Sequence, residues 1–406
     1  MILKETLREV ILSQRKELES YDSGVERQIL KYIDLSIQYA TVISGIRRCG
    51  KSTFLHQLLQ KLTNFYYLNF EDTRLIDFDV SDFEKLEEVL VEEFGPSDTY
   101  MFDEIQNTRG WEIFVRSGLD KQKKFVITGS NASLLSRELG TRLTGRHINV
   151  DLFPFSFPEY LNFKNERPSL ITFKEYNEEG GFPIYLKSGK PEILRQLLID
   201  IVQRDIVARY NLRSSKIMME MALYLLTNTG KEFSYSNLGK TYGLGSTNTA
   251  ISFVSYLEDS YLLFTVQRFD YSLRKQQVSP RKIYSADNGL SSANSVSFSS
   301  DNGRMLENTV FLHLRRLHRE IFYFRKNREC DFLVKERNGI RMAVQVTFEL
   351  REDNKVRELG GLLEAMEEFQ LSEGLIITFD QEDEFVQNHK RILVKPAWKW
   401  IMESVS

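Results

Sequence analysis

The segment GIRRCGKS at residues 45–52 constrains the fold more than any other part of the chain. It matches the pattern G-x-x-x-x-G-K-[ST] and lies between the apolar run ATVIS and the helix-like stretch TFLHQLL. Glycines let the backbone turn so that its N–H groups face a phosphate, and the N-terminus of the following helix favours the same anion. We therefore predict a nucleotide site in which Lys51 reaches the β- and γ-phosphates and the Ser52 hydroxyl binds Mg²⁺. The residues predicted to contact the nucleotide are Gly45, Ile46, Arg47, Arg48, Cys49, Gly50, Lys51, Ser52 and Thr53.

A second apolar run, TYMF at residues 99–102, ends in the carboxylates Asp103 and Glu104. In nucleoside triphosphatases an aspartate at the end of a strand holds the metal ion. We expect Asp103 to bind Mg²⁺ and Glu104 to position or deprotonate the attacking water. The alternative is a solvated strand end, which the glycine-rich segment nearby disfavours.

A third apolar run, KFVITG, is followed by Ser130 and Asn131. Asn131 is predicted either to contact the γ-phosphate or the water, or to cap the next helix. Arg142 and Arg146 are candidates for an arginine that stabilises transition-state charge, including across a subunit boundary. The alternative is a pair of surface cations.

The alternation of short apolar runs with helical stretches predicts an α/β chain whose first domain contains a parallel sheet with crossover helices. Its 406 residues have room for several hydrophobic cores. Residues 1–37 are predicted to form two charged amphipathic helices. The predicted parts are N-terminal helices with the nucleotide-binding domain at 1–165, a helical connector at 166–215, a winged helix-turn-helix at 216–290 and a further α/β domain at 303–406.

Charge and cysteine content limit the function classes that remain. Lys and Arg total 54 against 57 Asp and Glu, a net charge of -3, so any nucleic acid would need a local basic patch. Two cysteines cannot form a disulfide framework, which predicts a reducing, cytoplasmic location. No apolar run approaches the ~18 residues of a membrane span, and no membrane partner is expected.

Three segments in order, GIRRCGKST, YMFDEIQN and FVITGSNASLLSRELGTRLTGR, resemble the AAA-type ATPases of archaea and bacteria that carry a restriction-endonuclease-like C-terminal domain. The segments YSADNGL, LENTVFLHL and ECDFLV resemble the same family. The resemblance implies an AAA-type P-loop domain that binds and hydrolyses ATP, and assembly into a homo-oligomeric ring. The residues to which it assigns roles are Lys51, Ser52, Asp103, Glu104, Asn131 as a sensor and Arg146 as a finger.

In the last domain, Glu307, Asp331 and Gln345 resemble the core of a PD-(D/E)xK nuclease and predict a second metal site. Such sites use a lysine two residues after the Glu or Gln, but Thr347 stands there and carries no charge to stabilise a phosphorane-like transition state. Lys335 is an alternative source of that lysine. The departure disfavours cleavage and favours a nuclease-like fold that binds without cutting.

Residues 268–282 contain five cations and one carboxylate, a local charge of +4, with Phe269 and Tyr271 among them. This pattern is typical of a surface that contacts a nucleic-acid backbone, although a solvated hairpin has the same composition. The candidate DNA contacts are Arg268, Arg274, Lys275, Arg281 and Lys282.

The sequence supports two functions of different class. The first is an ATP-driven, DNA-associated motor or switch. The second is a nucleotide-dependent switch or scaffold that binds a protein and no DNA. A third, an ATP-regulated nuclease, is disfavoured by Thr347.

Overall fold

The computed structural model describes residues 2–130, 145–295, 301–337 and 339–404. The chain divides into two compact units. The first comprises Met1–Phe153 with Asp259–Tyr261, and the second comprises Pro154–Glu258 with Leu262–Ser406.

The first unit contains a five-stranded, fully parallel sheet in the order β2-β3-β4-β1-β5. Its strands are β1 (Ala40–Ser44), β2 (Tyr66–Asn69), β3 (Thr99–Asp103), β4 (Lys124–Gly129) and β5 (His147–Asp151). Its helices are α1 (Lys4–Glu19), α2 (Lys51–Leu59), α3 (Phe83–Phe94) and α4 (Trp111–Asp120). The predicted parallel sheet is confirmed. Because parallel strands end at one edge, the end of β1 and the end of β3 both lie where an α/β sheet binds its ligands.

The N-terminal segment forms one long helix where two were predicted. Leu7, Val10 and Ile11 of α1 are buried in the core of the first unit, as their helical spacing predicts. The prediction of a second amphipathic helix was wrong, since Gln28–Tyr32 form only a short 3₁₀ turn. The backbone just before this turn is hydrogen-bonded to a side chain of α2. The Gln57 amide donates to the carbonyls of Ser23 and Val25.

The second unit is built on one nine-stranded sheet in the order β13-β14-β12-β11-β10-β9-β7-β8-β6. Its first strands are β6 (Glu232–Phe233), β7 (Leu263–Arg268), β8 (Arg281–Ser285), β9 (Glu320–Arg325) and β10 (Glu329–Glu336). The others are β11 (Gly339–Val346), β12 (Glu373–Thr378), β13 (Asp383–Gln387) and β14 (Lys390–Pro396).

Twelve α-helices are described in this unit, and α8 continues into a π-helical stretch at Ile201–Ala208. The first six are α5 (Phe157–Lys164), α6 (Leu170–Glu179), α7 (Pro183–Ser188), α8 (Pro191–Asp200), α9 (Ser215–Thr227) and α10 (Tyr235–Thr241). The others are α11 (Thr247–Asp259), α12 (Leu273–Val278), α13 (Asn288–Asn294), α14 (Asn302–Leu317), α15 (Glu352–Glu368) and α16 (Ala397–Glu403). None of the described helices is both long and apolar enough to span a lipid bilayer.

The segment predicted as a winged helix and the segment predicted as a separate C-terminal domain share this sheet. The helices α9, α10 and α11 and the strand β7 occur in the predicted order. However, β7 pairs in parallel with β9, where Gln267 lies opposite Phe322 and Arg268 opposite Tyr323. The sheet therefore continues across the segment that separates the two predicted domains.

Candidate active site

The glycine-rich loop connects the end of β1 to the start of α2, as predicted. A Cβ atom on Gly45 would lie 2.1 Å from the carbonyl oxygen of Leu152, so no larger residue fits without movement of the backbone. Gly50 precedes the first residue of α2 with a φ of 103°, a conformation that glycine adopts readily. Gly45 thus permits the close approach of the loop to Leu152, and Gly50 permits the turn into the N-terminus of α2.

The ammonium group of Lys51 lies between this loop and the residue that follows β3. It donates to the carbonyls of Gly45 at 3.1 Å and Ile46 at 3.4 Å. The same nitrogen lies 3.6 Å from a carboxylate oxygen of Glu104. Two residues predicted from separate segments of the sequence therefore meet in space.

Asp103 is fully buried at the end of β3. One carboxylate oxygen accepts a hydrogen bond from the Thr128 hydroxyl, while the other, Oδ2, has no hydrogen-bond donor among the described residues. Burial, and then the charge of Glu104, raise the pKa of Asp103 to about 6, although the nearby Ser52 hydroxyl favours the ionised form. An unpaired carboxylate oxygen near a serine hydroxyl suits a hard cation, so Ser52 and Asp103 would hold Mg²⁺.

Glu104 adopts a left-handed backbone conformation, with a φ of 50°, that is uncommon for a residue with a side chain. Its backbone N–H donates to the Thr128 hydroxyl oxygen at 2.9 Å. Burial opposes ionisation of the carboxyl, but Lys51 and the Gln106 amide outweigh it and hold the pKa of Glu104 below its usual range. Glu104 is therefore a buried, ionised carboxylate next to the loop. Strained residues of this kind cluster at functional sites.

Two residues that the sequence reading missed support this site. Arg27 is buried, and its guanidinium donates to the carbonyls of Cys49 in the loop at 3.0 Å and of Phe153 at 2.5 Å. Thr128 on β4 connects Asp103 and Glu104. The isolated hydroxyl in the apolar run FVITG could have indicated Thr128, whereas Arg27 follows a polar turn and has no comparable signal.

Other predicted site residues are not brought to the loop by the described structure. The Arg146 carbonyl accepts from the N–H of Ala40, the first residue of β1, so Arg146 lies at the sheet edge opposite the loop, about 13 Å away at the rise of a strand. Its guanidinium pairs with Asp120 at 2.8 Å. Arg146 therefore does not reach the loop of its own chain, and its role as a finger across a subunit boundary stays a prediction. Asn131 and Arg142 lie outside the described residues.

In the second unit, Glu307, Asp331 and Gln345 lie close together, as predicted, but around a lysine. The Lys282 ammonium donates to Glu307 at 3.1 Å and to Asp331 at 2.8 Å, and it lies 2.8 Å from Glu329. The Gln345 side-chain oxygen accepts from the Asp331 backbone N–H at 3.3 Å. These carboxylates hold the pKa of Lys282 well above its usual value despite burial.

This geometry corrects three sequence readings. Lys282 is 3% exposed and cannot lie on a DNA-binding surface. A lysine does reach the acidic cluster, but it comes from β8, while Lys335 pairs instead with Glu320 at 2.7 Å. The predicted second metal site is the third correction, because the cation among these carboxylates is the ammonium group of Lys282. In the described ranges no cluster of three or more His, Cys, Asp or Glu could hold a metal ion.

The remaining basic candidates differ in exposure. Arg274 and Lys275 are exposed on α12, in agreement with a surface role. Arg268 and Arg281 are half-buried, and Arg281 donates to the Thr265 hydroxyl and lies over the ring of Tyr235 at 5.3 Å. Only two of the five predicted contacts are therefore exposed.

The segments YSADNGL and LENTVFLHL form a buried polar network. The Asp287 carboxylate accepts from the backbone N–H groups of Gly181 at 2.6 Å and Leu290 at 2.9 Å. The Asn308 amide donates to Asn288 at 2.8 Å and accepts from the Ser285 N–H at 2.9 Å. These contacts join β8, α13 and α14, and they account for the buried Asp287, Asn288 and Asn308.

Comparison with known proteins agrees with the geometry of the first unit. An AAA domain family matches residues 38–161, which include the loop and both carboxylates. An uncharacterised protein of Methanocaldococcus jannaschii is 34% identical over 98% of this chain and 96% of its own length. The chain belongs to its family. An uncharacterised protein of Haemophilus influenzae is 30% identical over 80% of this chain and 86% of its own length.

The AAA domain match supports an AAA-type P-loop ATPase domain at residues 38–161. Residues 171–300 match a domain of unknown function, DUF8612. The winged helix and the restriction-endonuclease-like domain at 303–406 remain predictions. Among solved structures, the Walker-type ATPase PABY2304 of Pyrococcus abyssi aligns with 66% of this chain and 94% of its own, with a TM-score of 0.42 and 16% identity. At that TM-score the likeness adds nothing to the assignment.

Proposed function

We propose that the protein binds ATP with Mg²⁺ at residues 45–53 and hydrolyses it to drive a switch or motor that acts on DNA. The observation that carries the hydrolytic part is the convergence of Lys51, Asp103 and Glu104, with Lys51 3.6 Å from Glu104. The match of this segment to an AAA domain supports the same activity.

The charge of each residue determines its proposed role in the site. The loop N–H groups and Lys51 would bind the phosphates, and Ser52 and Asp103 would hold Mg²⁺, which offsets phosphate charge when bound. Glu104 is ionised at neutral pH because Lys51 and Gln106 favour its charged form. It can therefore accept a hydrogen bond from the attacking water and orient it.

Two substitutions separate binding from turnover. Lys51→Ala is expected to abolish nucleotide binding, and Glu104→Gln to preserve binding but lower turnover by about 100-fold or more, the usual loss of a general base. Calorimetry with ATP and a phosphate-release assay measure the two effects. The matched controls are Lys61→Ala and Glu84→Gln, which change exposed residues of the same unit. A Glu104→Gln protein with native turnover would remove Glu104 from this role.

The DNA part of the proposal is supported by the exposed Arg274 and Lys275 on α12. The phosphate-release rate should rise when single-stranded, duplex or branched DNA is added. Hydrolysis that no nucleic acid alters would instead favour the second function, a nucleotide-dependent switch that binds a protein. This alternative stays open because three of the five predicted DNA contacts are not exposed. Arg268 and Arg281 are half-buried, and Lys282 is buried.

A further inference from the structure

A groove with a volume of about 690 Å³ lies in the second unit, beside the ends of β7 and α15 and the turn between β10 and β11. Its lining combines aromatic rings with cations. None of the residues in this lining belongs to the nucleotide site or to the acidic cluster around Lys282.

The aromatic part is a cluster of three rings. Phe269 contacts Phe369 edge to face at 4.9 Å and Tyr271 at 5.3 Å. Phe269 and Phe369 are half-buried, whereas Tyr271 is 75% exposed. An exposed ring that half-buried rings support from one side is suited to stack on a planar partner.

The lining of the groove contains the cations Lys335, Arg337 and Arg341 and one carboxylate, Glu368. Lys335 is paired with Glu320 at 2.7 Å, so the positive charge of the groove comes from the two arginines. Glu368 pairs with Lys326 at 2.6 Å, which offsets its charge. Within the described ranges Arg337 and Arg341 are exposed and have no carboxylate partner. The groove is thus a local positive surface on a chain whose net charge is -3.

We propose that this groove binds an unpaired DNA strand, with a base stacked on Tyr271 and phosphates on Arg337 and Arg341. Aromatic rings beside a row of cations are the features that bind single strands, because every base has a face to stack and every linkage has a charge. In a duplex those faces are covered by neighbouring base pairs. The proposal rests on the DNA association proposed above and gives it a location.

The test measures fluorescence anisotropy of a labelled oligothymidine with the full chain, beside a blunt duplex and an oligouridine. Tyr271→Ala should weaken binding about 5- to 150-fold, the range for loss of one stacked base, while Tyr271→Phe should restore it. Arg337→Ala with Arg341→Ala should weaken binding about 25-fold at 0.1 M salt, since two phosphate contacts are lost. The matched control replaces two exposed arginines elsewhere in the unit, Arg167→Ala with Arg213→Ala.

The outcomes separate the groove from the rest of the proposed function. Preferential binding of oligothymidine that the groove substitutions weaken and the control leaves unchanged supports the inference. Equal binding of the duplex, binding of oligouridine alone, or groove variants that bind as the wild type does would overturn it. If the wild type hydrolyses ATP but binds no DNA, DNA association fails with the groove while hydrolysis stands. Lys51→Ala should bind the strand normally.

Discussion

The imidazole of His313 links the stability of the second unit to pH. His313 lies on α14, 4% exposed, with its Nε2 hydrogen-bonded to the Ser404 hydroxyl at 2.6 Å and its ring 4.8 Å from that of Trp400. Burial, and then the charge of Arg316, lower the pKa of His313 to about 3. The folded protein therefore keeps this ring neutral at pH values where the unfolded chain protonates it.

The direction of the pH effect follows from that difference. The unfolded histidine binds a proton near pH 6.5, so its contribution to stability is complete above that value and is lost as the pH falls toward 3. Between pH 7 and pH 5 the unfolding free energy should fall by about 2 kcal/mol more in the wild type than in His313→Asn. Urea unfolding at both pH values measures this. Equal decreases in the two proteins would show that His313 does not titrate on unfolding.

Site residues within a local motif could be predicted from the sequence, whereas site residues that lie far from the motif along the chain could not. Lys51 and Ser52 are fixed by the loop that contains them, and Asp103 and Glu104 by the end of an apolar run. Arg27 contacts Cys49 across 22 positions of sequence, and no spacing rule connects them.

Among the secondary-structure elements, Lys282 joins β8, β10 and α14 through its carboxylate partners. Lys282→Met would leave Glu307, Glu329 and Asp331 without their central cation in a largely buried setting. Loss of one member of a buried ion pair costs about 3–5 kcal/mol. We expect a decrease of this size in the unfolding free energy, measured by urea denaturation.

Two further variants separate charge from packing at this cluster. Adding Glu307→Gln to Lys282→Met should recover part of the lost stability, because one uncompensated carboxylate is removed. Lys335→Met, which breaks the more exposed pair with Glu320, should change stability by about 1 kcal/mol or less. If Lys282→Met were no more destabilising than Lys335→Met, Lys282 would not be the cation that the cluster requires.

The role of Lys282 could not be predicted because it depends on strand pairing between distant segments. Helices α9 to α11 and strand β7 were predictable from periodicity and turn residues, which are local. The parallel pairing of β7 with β9 joins Arg268 to Tyr323, and no local pattern specifies it. That pairing brings β8 and β10 into one sheet, in which the Lys282 side chain contacts Glu329 and Asp331 of β10. A lysine predicted to lie on the surface is therefore at the centre of a buried cluster.

For the whole molecule, the net charge of -3 predicts that a polyanion is held by a local surface only. Composition therefore indicated that a basic patch was needed, but its location depends on the fold. Of the basic residues at 268–282, only Arg274 and Lys275 are exposed, so they do not form one continuous basic surface. The groove instead joins Tyr271 to Arg337 and Arg341, which lie 66 and 70 positions away in the chain.

The salt dependence of DNA binding tests whether the binding surface is this small. For single strands the logarithm of the affinity falls by about 0.7 for each phosphate contact per tenfold rise in salt. The two phosphate contacts proposed for Arg337 and Arg341 give a slope of about 1.4, and the double arginine variant should give a slope near zero. Anisotropy titrations with oligothymidine from low to high salt measure both slopes. A wild-type slope of about 5 or more that the double variant leaves unchanged would mean that DNA is held elsewhere, over a broader surface.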